Sequence, residues 1–247
     1  MTSATTPMTR SRLTVMRPRD PNEPNRSAST LELFFDLVFV VAVSTASVQL
    51  HDALTEGHVW QGLAGYAGVF FAIWWTWMNF TWFATSFATD DWLYRLLVIV
   101  QMAGVLVLAA GIQPFFVNGD NRVLVLAYVV MRVAMVAQWL RASRHAGKYR
   151  RTTLLYAGGT ALVQTLWLLQ LLIPRGPLAL SCLLLLLVAE IAVPVVAERF
   201  DRASTPWHPH HITERYGLFT LILLGESLLA SPTRSSRRCT TPKNSGR

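Results

Sequence analysis

The sequence predicts an all-α fold, a polytopic transmembrane bundle of about seven helices. Three observations predict it. Hydrophobic residues make up 52% of the 247 and charged residues only 15%, against about 25% charged in a soluble domain. Mean hydropathy is +0.36. The apolar residues also fall in blocks close to the ~20 that cross ~30 Å of hydrocarbon, and the gaps between blocks carry breakers or charge: HDALTEGH, ATDD, PFFVNGD, RASRHAGKYRR, PRGP and ERFDRASTPWHPHH.

Residues 1–30 are polar and rich in Pro, Ser, Thr and Arg, and read as a disordered arm. The first helix, 31–50, opens LELFFDLVFV, so Glu32 and Asp36 share one face. Glu32 stands in the first turn, where a carboxylate favours a helix N-terminus, with Ser29 or Thr30 as N-cap. Asp36 lies deeper and needs another reason. The second helix, 60–83, carries ten aromatic residues, with Gly62, Gly65 and Gly68 along another face. Small residues let helices approach closely, so packing is the first reading and a lined pocket the second.

The third helix spans 93–113. The fourth, 122–141, contains Arg132. The following stretch 141–151 has five basic residues and suits anionic lipid headgroups, each contact being worth about 1 kcal/mol. Helices at 153–173 and 178–197 follow, the second bearing Glu190. Pro194 cannot donate to the carbonyl of residue 190, and this leaves either a polar pocket or an ordinary bend. The seventh helix, 213–230, holds Arg215 and Glu226, with Thr213 or His211 as its cap. Residues 31–230 thus form the transmembrane domain. After LLGESLLA the character changes abruptly to a polar basic tail, 231–247, expected to be a non-native ending left by a frameshift or truncation.

Lys and Arg set the orientation. Thirteen fall in the arm, 84–95, 141–151 and 198–212, against two in the alternate segments. This places the N-terminus in the cytoplasm of a cell whose inner (plasma) membrane holds the chain. The net charge of +8 does not imply nucleic acid. Five of its basic residues sit in the tail, and no coherent patch stands outside 141–151. Cys182 and Cys239 form no disulfide or zinc spacing. WHPHHITER, 207–215, brings three histidines together and reads as a metal site, a proton relay or a polar helix entry; no metal and no cofactor is implied. Lys148 and Lys243, the two lysines, lie in a loop and in the tail, which excludes a retinal-type Schiff base. No P-loop, HExxH or GxSxG occurs, so an enzyme is not expected.

A charge near the bilayer centre costs roughly 2.5–3.5 kcal/mol and marks function by default. Asp36, Arg132 and Glu190 fall within about one turn of each other in depth at ~1.5 Å per residue. They are expected to cluster between the first, fourth and sixth helices, as a packing salt bridge or as an ion or proton path. Glu226 lies about 16 Å along the helix from Arg215 and needs a partner on another helix.

LELFFDLVFVVAVS at 31–44 and HITERYGLFTLILLGES at 211–227 resemble the two signature stretches of the bacterial low temperature requirement protein A family. Glu32, Phe34, Phe35, Asp36, His211, Glu214, Arg215, Gly225, Glu226 and Ser227 carry the likeness. The Trp-rich second helix and the YxxxR pair Tyr128 and Arg132 add to it. The resemblance implies a multi-pass membrane protein linked to growth in the cold. It also implies a bundle that continues with several helices after the GES motif, so that this chain is the N-terminal part of a larger one. It supplies no reaction or ligand. Three readings therefore stand. The first is an ion- or proton-linked transporter or channel for an ion or small solute. The second is a non-transporting protein of cold adaptation, sensing or scaffolding. The third, an intramembrane lipid-modifying enzyme, lacks a nucleophile. The first and seventh helices both begin near a Glu and an aromatic residue, as a parallel repeat would.

Overall fold

The computed structural model describes residues 13–24, 26–174, 176–199 and 204–238, with side chains in the last helix described to Glu226. Seven α-helices are found among them: α1 Thr30–Thr55, α2 Val59–Phe87, α3 Trp92–Asn118, α4 Arg122–Ser143, α5 Arg150–Gln170, α6 Pro177–Arg199 and α7 Pro209–Arg238. A 3₁₀ turn at Gly147–Tyr149 joins α4 to α5. Four helices are long and apolar enough to cross a membrane, namely α1, α3, α4 and α6.

Local chemistry sets the boundaries. Ser29 Oγ accepts from the Glu32 N–H while the Glu32 carboxylate accepts from the Ser29 N–H, a reciprocal capping box that opens α1. Asp91 accepts from the Tyr94 N–H and opens α3. The expected break at PFFVNGD comes late, because α3 runs through Pro114. It stops where Gly119 takes a left-handed φ of 65° and returns its N–H to the Phe115 carbonyl at 2.9 Å.

The α7 cap differs from expectation. The helix begins at Pro209, where a missing N–H is no loss, and His208 Nδ1 accepts from the His211 N–H at 3.2 Å. Thr213 Oγ1 donates back to the Pro209 carbonyl from inside the helix, so neither Thr213 nor His211 is the cap. The α7 backbone continues to Arg238, into the stretch read as tail, and residues 239–247 lie outside the described residues.

Neighbouring helices pack α1 on α2, α3 and α7, α3 on α4, α4 on α5, and α5 on α6. The second half of α2 is the central post. Ile73, Trp77, Phe80, Phe83, Ala84 and Phe87 are all fully buried. Phe35 and Phe39 of α1 stack on each other at 4.3 Å, and Phe35 meets Phe80 at 4.1 Å. Trp139 of α4 lies against Phe83 at 4.8 Å and stacks on Tyr156 of α5 at 4.3 Å. The aromatic run therefore builds the core, because flat side chains of this size each remove 150–250 Å² from solvent. Helix α6 is the opposite case. Only Leu186, Glu190, Val193 and Ala197 are buried on it, and its leucines and valines form an apolar outer face.

The second part of the arm is not free chain. Residues 1–12 lie outside the described residues, but Met16 is buried and the Arg19 N–H donates to the Ser86 carbonyl at 2.9 Å. Arg26 donates to the carbonyls of Thr85 and Ala84. Thr14 is held through both backbone groups, its N–H on Asp91 and its carbonyl on Arg141. Polar composition points to disorder only where no fixed partner exists. Here the ends of α2, α3 and α4 offer unpaired backbone groups and an ion pair for the arm to bind.

Candidate functional site

Two buried carboxylate–guanidinium pairs lie on either side of α2. On one side Asp36 receives Arg215 Nη2 at 2.5 Å, Arg215 Nε at 3.1 Å and the Trp77 indole N–H at 2.6 Å. On the other, Glu190 receives Arg132 Nη2 at 2.8 Å, Gln164 Nε2 at 2.7 Å and the Trp75 indole N–H at 3.2 Å. Asp36, Arg132, Glu190 and Arg215 are all at most 1% exposed. Trp75 and Trp77 are two residues apart, which on a helix means about 3 Å along the axis and about 160° around it. One helix thus presents an indole donor to each acid from opposite faces.

This arrangement corrects the expected Asp36–Arg132–Glu190 cluster. Arg132 pairs with Glu190 alone, and Asp36 belongs to Arg215. The physical reason is α2, whose bulky second half stands between α1 and α6 and gives each acid a separate chamber. Depth along the helices was legible from spacing, whereas their order around the bundle was not.

The Asp36 side is a ladder between two parallel helices. Glu32 and Asp36 are four apart on α1, and His211 and Arg215 are four apart on α7. His211 Nε2 meets Glu32 Oε1 at 3.1 Å, and Arg215 Nη1 lies 3.3 Å from the same oxygen. Glu32 therefore both caps α1 and binds α7. Arg215 Cζ also sits 5.7 Å from the Trp77 ring centre and 5.8 Å from that of Phe80, adding cation–π attraction. Below the ladder, His208 Nε2 meets the Glu23 carbonyl at 2.9 Å. Its Nδ1 is already an acceptor, so Nε2 carries the hydrogen and the ring is neutral.

The Glu190 side is less complete. Arg132 Nε and Nη1, Tyr128 Oη, Gln164 Oε1 and Trp167 Nε1 are buried and find no hydrogen-bond partner among the described residues. Tyr128 and Trp167 meet edge to face at 6.1 Å, and Arg132 Cζ lies 5.7 Å from the Tyr128 ring centre. These two rings line a cavity of about 110 Å³ whose other walls include Val69, Leu108, Leu124, Leu183 and Leu187. At Phe115, Asn121 and Leu183 it adjoins a wider depression of about 760 Å³ at the bundle end away from the arm.

The remaining sequence candidates divide as follows. Glu226 is exposed on α7 and accepts from Ser44 Oγ of α1 at 3.2 Å. Glu214 accepts from the Ala28 N–H at 3.2 Å. Phe34 is exposed, while Phe35 is in the core. A Cβ on Gly225 would meet open space, and the side chain of Ser227 lies outside the described residues. Sequence reasoning read Trp75 and Trp77 as packing or pocket-lining aromatics rather than as donors to the acids, and it missed Trp82, Gln164 and Glu198. Trp82 Nε1 lies 3.4 Å from Glu198 and 3.0 Å from Thr205 Oγ1, and Tyr156 Oη donates to Glu198 at 2.9 Å. The available signal was the spacing of α2 itself: Trp75 and Trp82 are seven apart on one face, opposite Glu190 and Glu198.

Outside the spans, the arm is tied by acids. Arg19 bonds Glu23 at 2.7 Å and holds its carboxyl below the ordinary 4.5. Asp91 is pushed up by burial, but the Arg141 guanidinium and the N–H groups of Tyr94 and Thr14 outweigh that and leave it below 3.8. Arg141, one of the five basic residues at 141–151, is therefore committed to Asp91. Among the described residues no group of three His, Cys, Asp or Glu side chains gathers to hold a metal.

Residues 27–241 match the family described as Bacterial low temperature requirement A protein (LtrA). The uncharacterized protein RA0937 of Rhizobium meliloti (strain 1021) is 29% identical over 229 residues, covering 85% of this chain and 52% of that protein. The chain thus spans about half the length of that curated relative. No solved structure matches it.

Proposed function

The chain belongs to the bacterial low temperature requirement A family of membrane proteins, and on that premise we propose that it is an ion- or proton-linked transporter or channel whose working centre is the Glu190–Arg132 pair. The observation that carries the reading is the unfinished hydrogen bonding there. Five buried polar atoms of Arg132, Tyr128, Gln164 and Trp167 lack partners among the described residues, and the rings of Tyr128 and Trp167 line a cavity that adjoins an open end. A buried polar group without a partner costs free energy, and such a group is retained where something else comes to bind it. The Asp36–Arg215 ladder leaves fewer atoms without partners, Arg215 Nη1 and His211 Nδ1 among the described residues, and it serves as the lock between α1 and α7. Glu226, at the α1–α7 surface, is a further station only if helices beyond this chain cover it.

In this reading α2, α5 and α7 cross the inner membrane with the four more apolar helices. The arm faces the cytoplasm, as its excess of arginine supports, and the bundle continues in longer relatives. The basic stretch 144–151 meets anionic headgroups through Arg144, Lys148, Arg150 and Arg151. The test is pH-gradient decay in liposomes holding the chain, with sodium and potassium varied in turn. Decay should be lost in Glu190→Gln. Decay that persists in that variant overturns the assignment, and a tight membrane with the unaltered chain leaves Glu190 and Arg132 as packing groups.

A further inference from the structure

Arg26 is a buried charge held only by neutral groups. It is 5% exposed, and its hydrogen bonds go to the carbonyls of Thr85 and Ala84. Among the described residues it forms no ion pair, whereas Arg19 pairs with Glu23 and Arg95 with Asp90. Burial, with Arg19 beside it, lowers its pKa to about 10, which still leaves it charged at neutral pH. A buried charge is ordinarily paired, so this position calls for an anion. Arg26 lines a cavity of about 700 Å³ at the arm end of the bundle, between the arm, the start of α1 and the α2–α3 turn. Arg19 and Arg95 stand in the same wall, with Ser27 and Thr30. The two acids of the lining are already engaged, Glu32 by His211, Arg215 and the Ser29 N–H, and Asp90 by Arg95. The capping box leaves the N–H groups of Thr30 and Leu31 at the open start of α1, where a phosphate is favoured.

We propose that this cavity binds the headgroup of an anionic phospholipid, its phosphodiester held by Arg19, Arg26 and Arg95 over the start of α1 and its acyl chains passing over Phe34 onto the outer face of the bundle. The Arg19–Glu23 and Arg95–Asp90 pairs have partly exposed side chains. Such surface pairs are weak, so both guanidiniums are free to turn their forks to a phosphate. What adjoins the cavity makes a lipid the source of that phosphate. Phe34 lines it, and exposed Phe34 and Leu37, three apart on α1, lead away from it along the helix. Beside Arg95, exposed Leu96 and Ile99 do the same on α3, which packs on α1. Exposed Trp92 is the side chain type that settles at headgroup level. A phosphodiester headgroup of about ten heavy atoms takes about 300 Å³ at the ~30 Å³ each of liquid water, and so fits with room for water. The site stands apart from Glu190 and does not depend on the transport reading.

The test is native mass spectrometry of the purified full chain in detergent, titrated with dioctanoyl phosphatidylglycerol or dioctanoyl phosphatidylcholine. The tightest phosphatidylglycerol adduct should form at about tenfold lower concentration than the phosphatidylcholine adduct, whose choline cancels the phosphate charge. Thr30→Glu brings a carboxylate into the cavity, and an acid suits the first turn of a helix. The tight adduct should disappear in this variant while residues 13–24 keep their protection from hydrogen exchange. Arg95→Gln, which leaves the arm contacts alone, should weaken the adduct about fivefold, the loss of one headgroup contact. Arg151→Gln, outside the cavity, should leave it unchanged. Glycerophosphoglycerol, the same headgroup without chains, should not displace the lipid at equal concentration. Equal binding of the two lipids, or a tight adduct that survives both Thr30→Glu and Arg95→Gln, would overturn the proposal. So would a loss in Arg151→Gln in place of Arg95→Gln, or displacement by the chain-free headgroup, which would make the ligand a soluble phosphoester.

Discussion

Arg215 sits between two acids of α1, 2.5 Å from Asp36 and 3.3 Å from Glu32, and removing it would strand both in the core. Breaking a buried pair from one side costs about 3–5 kcal/mol because the remaining charge has no compensation. Arg215→Leu should lower thermal stability in detergent micelles by about that amount. The paired neutral change Asp36→Asn with Arg215→Gln should recover part of the loss, and a double variant no more stable than Arg215→Leu would contradict the ladder. The arm supplies a second test at this scale. Glu23 and Asp91 have folded-state values below their ordinary 4.5 and 3.8. Their contribution is therefore complete above those values and is lost as pH falls through the lower folded ones. Hydrogen exchange of residues 13–24 should be slow at pH 7, still slow at pH 5, and faster as pH drops below about 3.8. An arm equally protected at pH 2 would show that these acids do not hold it.

Helix faces are set by what a side chain meets, and two glycines show it. A Cβ on Gly111 of α3 would come 2.9 Å from Val123 Cγ1 and 3.2 Å from the backbone nitrogen of Leu124 on α4. A methyl group there pushes the helices apart, and overpacking typically costs about 1–3 kcal/mol. Gly111→Ala should accordingly lower the unfolding midpoint, whereas Gly68→Ala on α2, which meets open space, should leave it unchanged. Equal effects of the two would contradict the α3–α4 contact. At this scale much was legible from sequence. Apolar blocks located all seven helices, and Ser29 with Glu32 announced the start of α1. Boundaries were missed where tertiary context overrode local signals. Pro114 was absorbed into α3, and His208, which needs its fixed neutral ring to cap α7, resembled an ordinary loop residue. The described part of the arm was misjudged because its partners, the last carbonyls of α2 and the Asp91–Arg141 pair, come from distant parts of the chain.

The whole bundle is organised around α2, whose indoles hold one acid on each face. Sequence indicated that Asp36, Arg132 and Glu190 were buried charges of similar depth. It could not assign partners, because pairing depends on which helices are neighbours, and a polytopic sequence records order along the chain rather than around the bundle. The pairing matters for function, since both acids receive three donors but their neighbours differ. Arg215 Nη1 and His211 Nδ1 are left without partners on the Asp36 side, against five atoms of Arg132, Tyr128, Gln164 and Trp167 on the Glu190 side. Liposomes holding the chain should therefore lose an imposed pH gradient, and this leak should vanish in Glu190→Gln while surviving in a folded Asp36→Asn. Loss in Asp36→Asn with retention in Glu190→Gln would contradict the assignment of the working centre to the α2–α4–α5–α6 side.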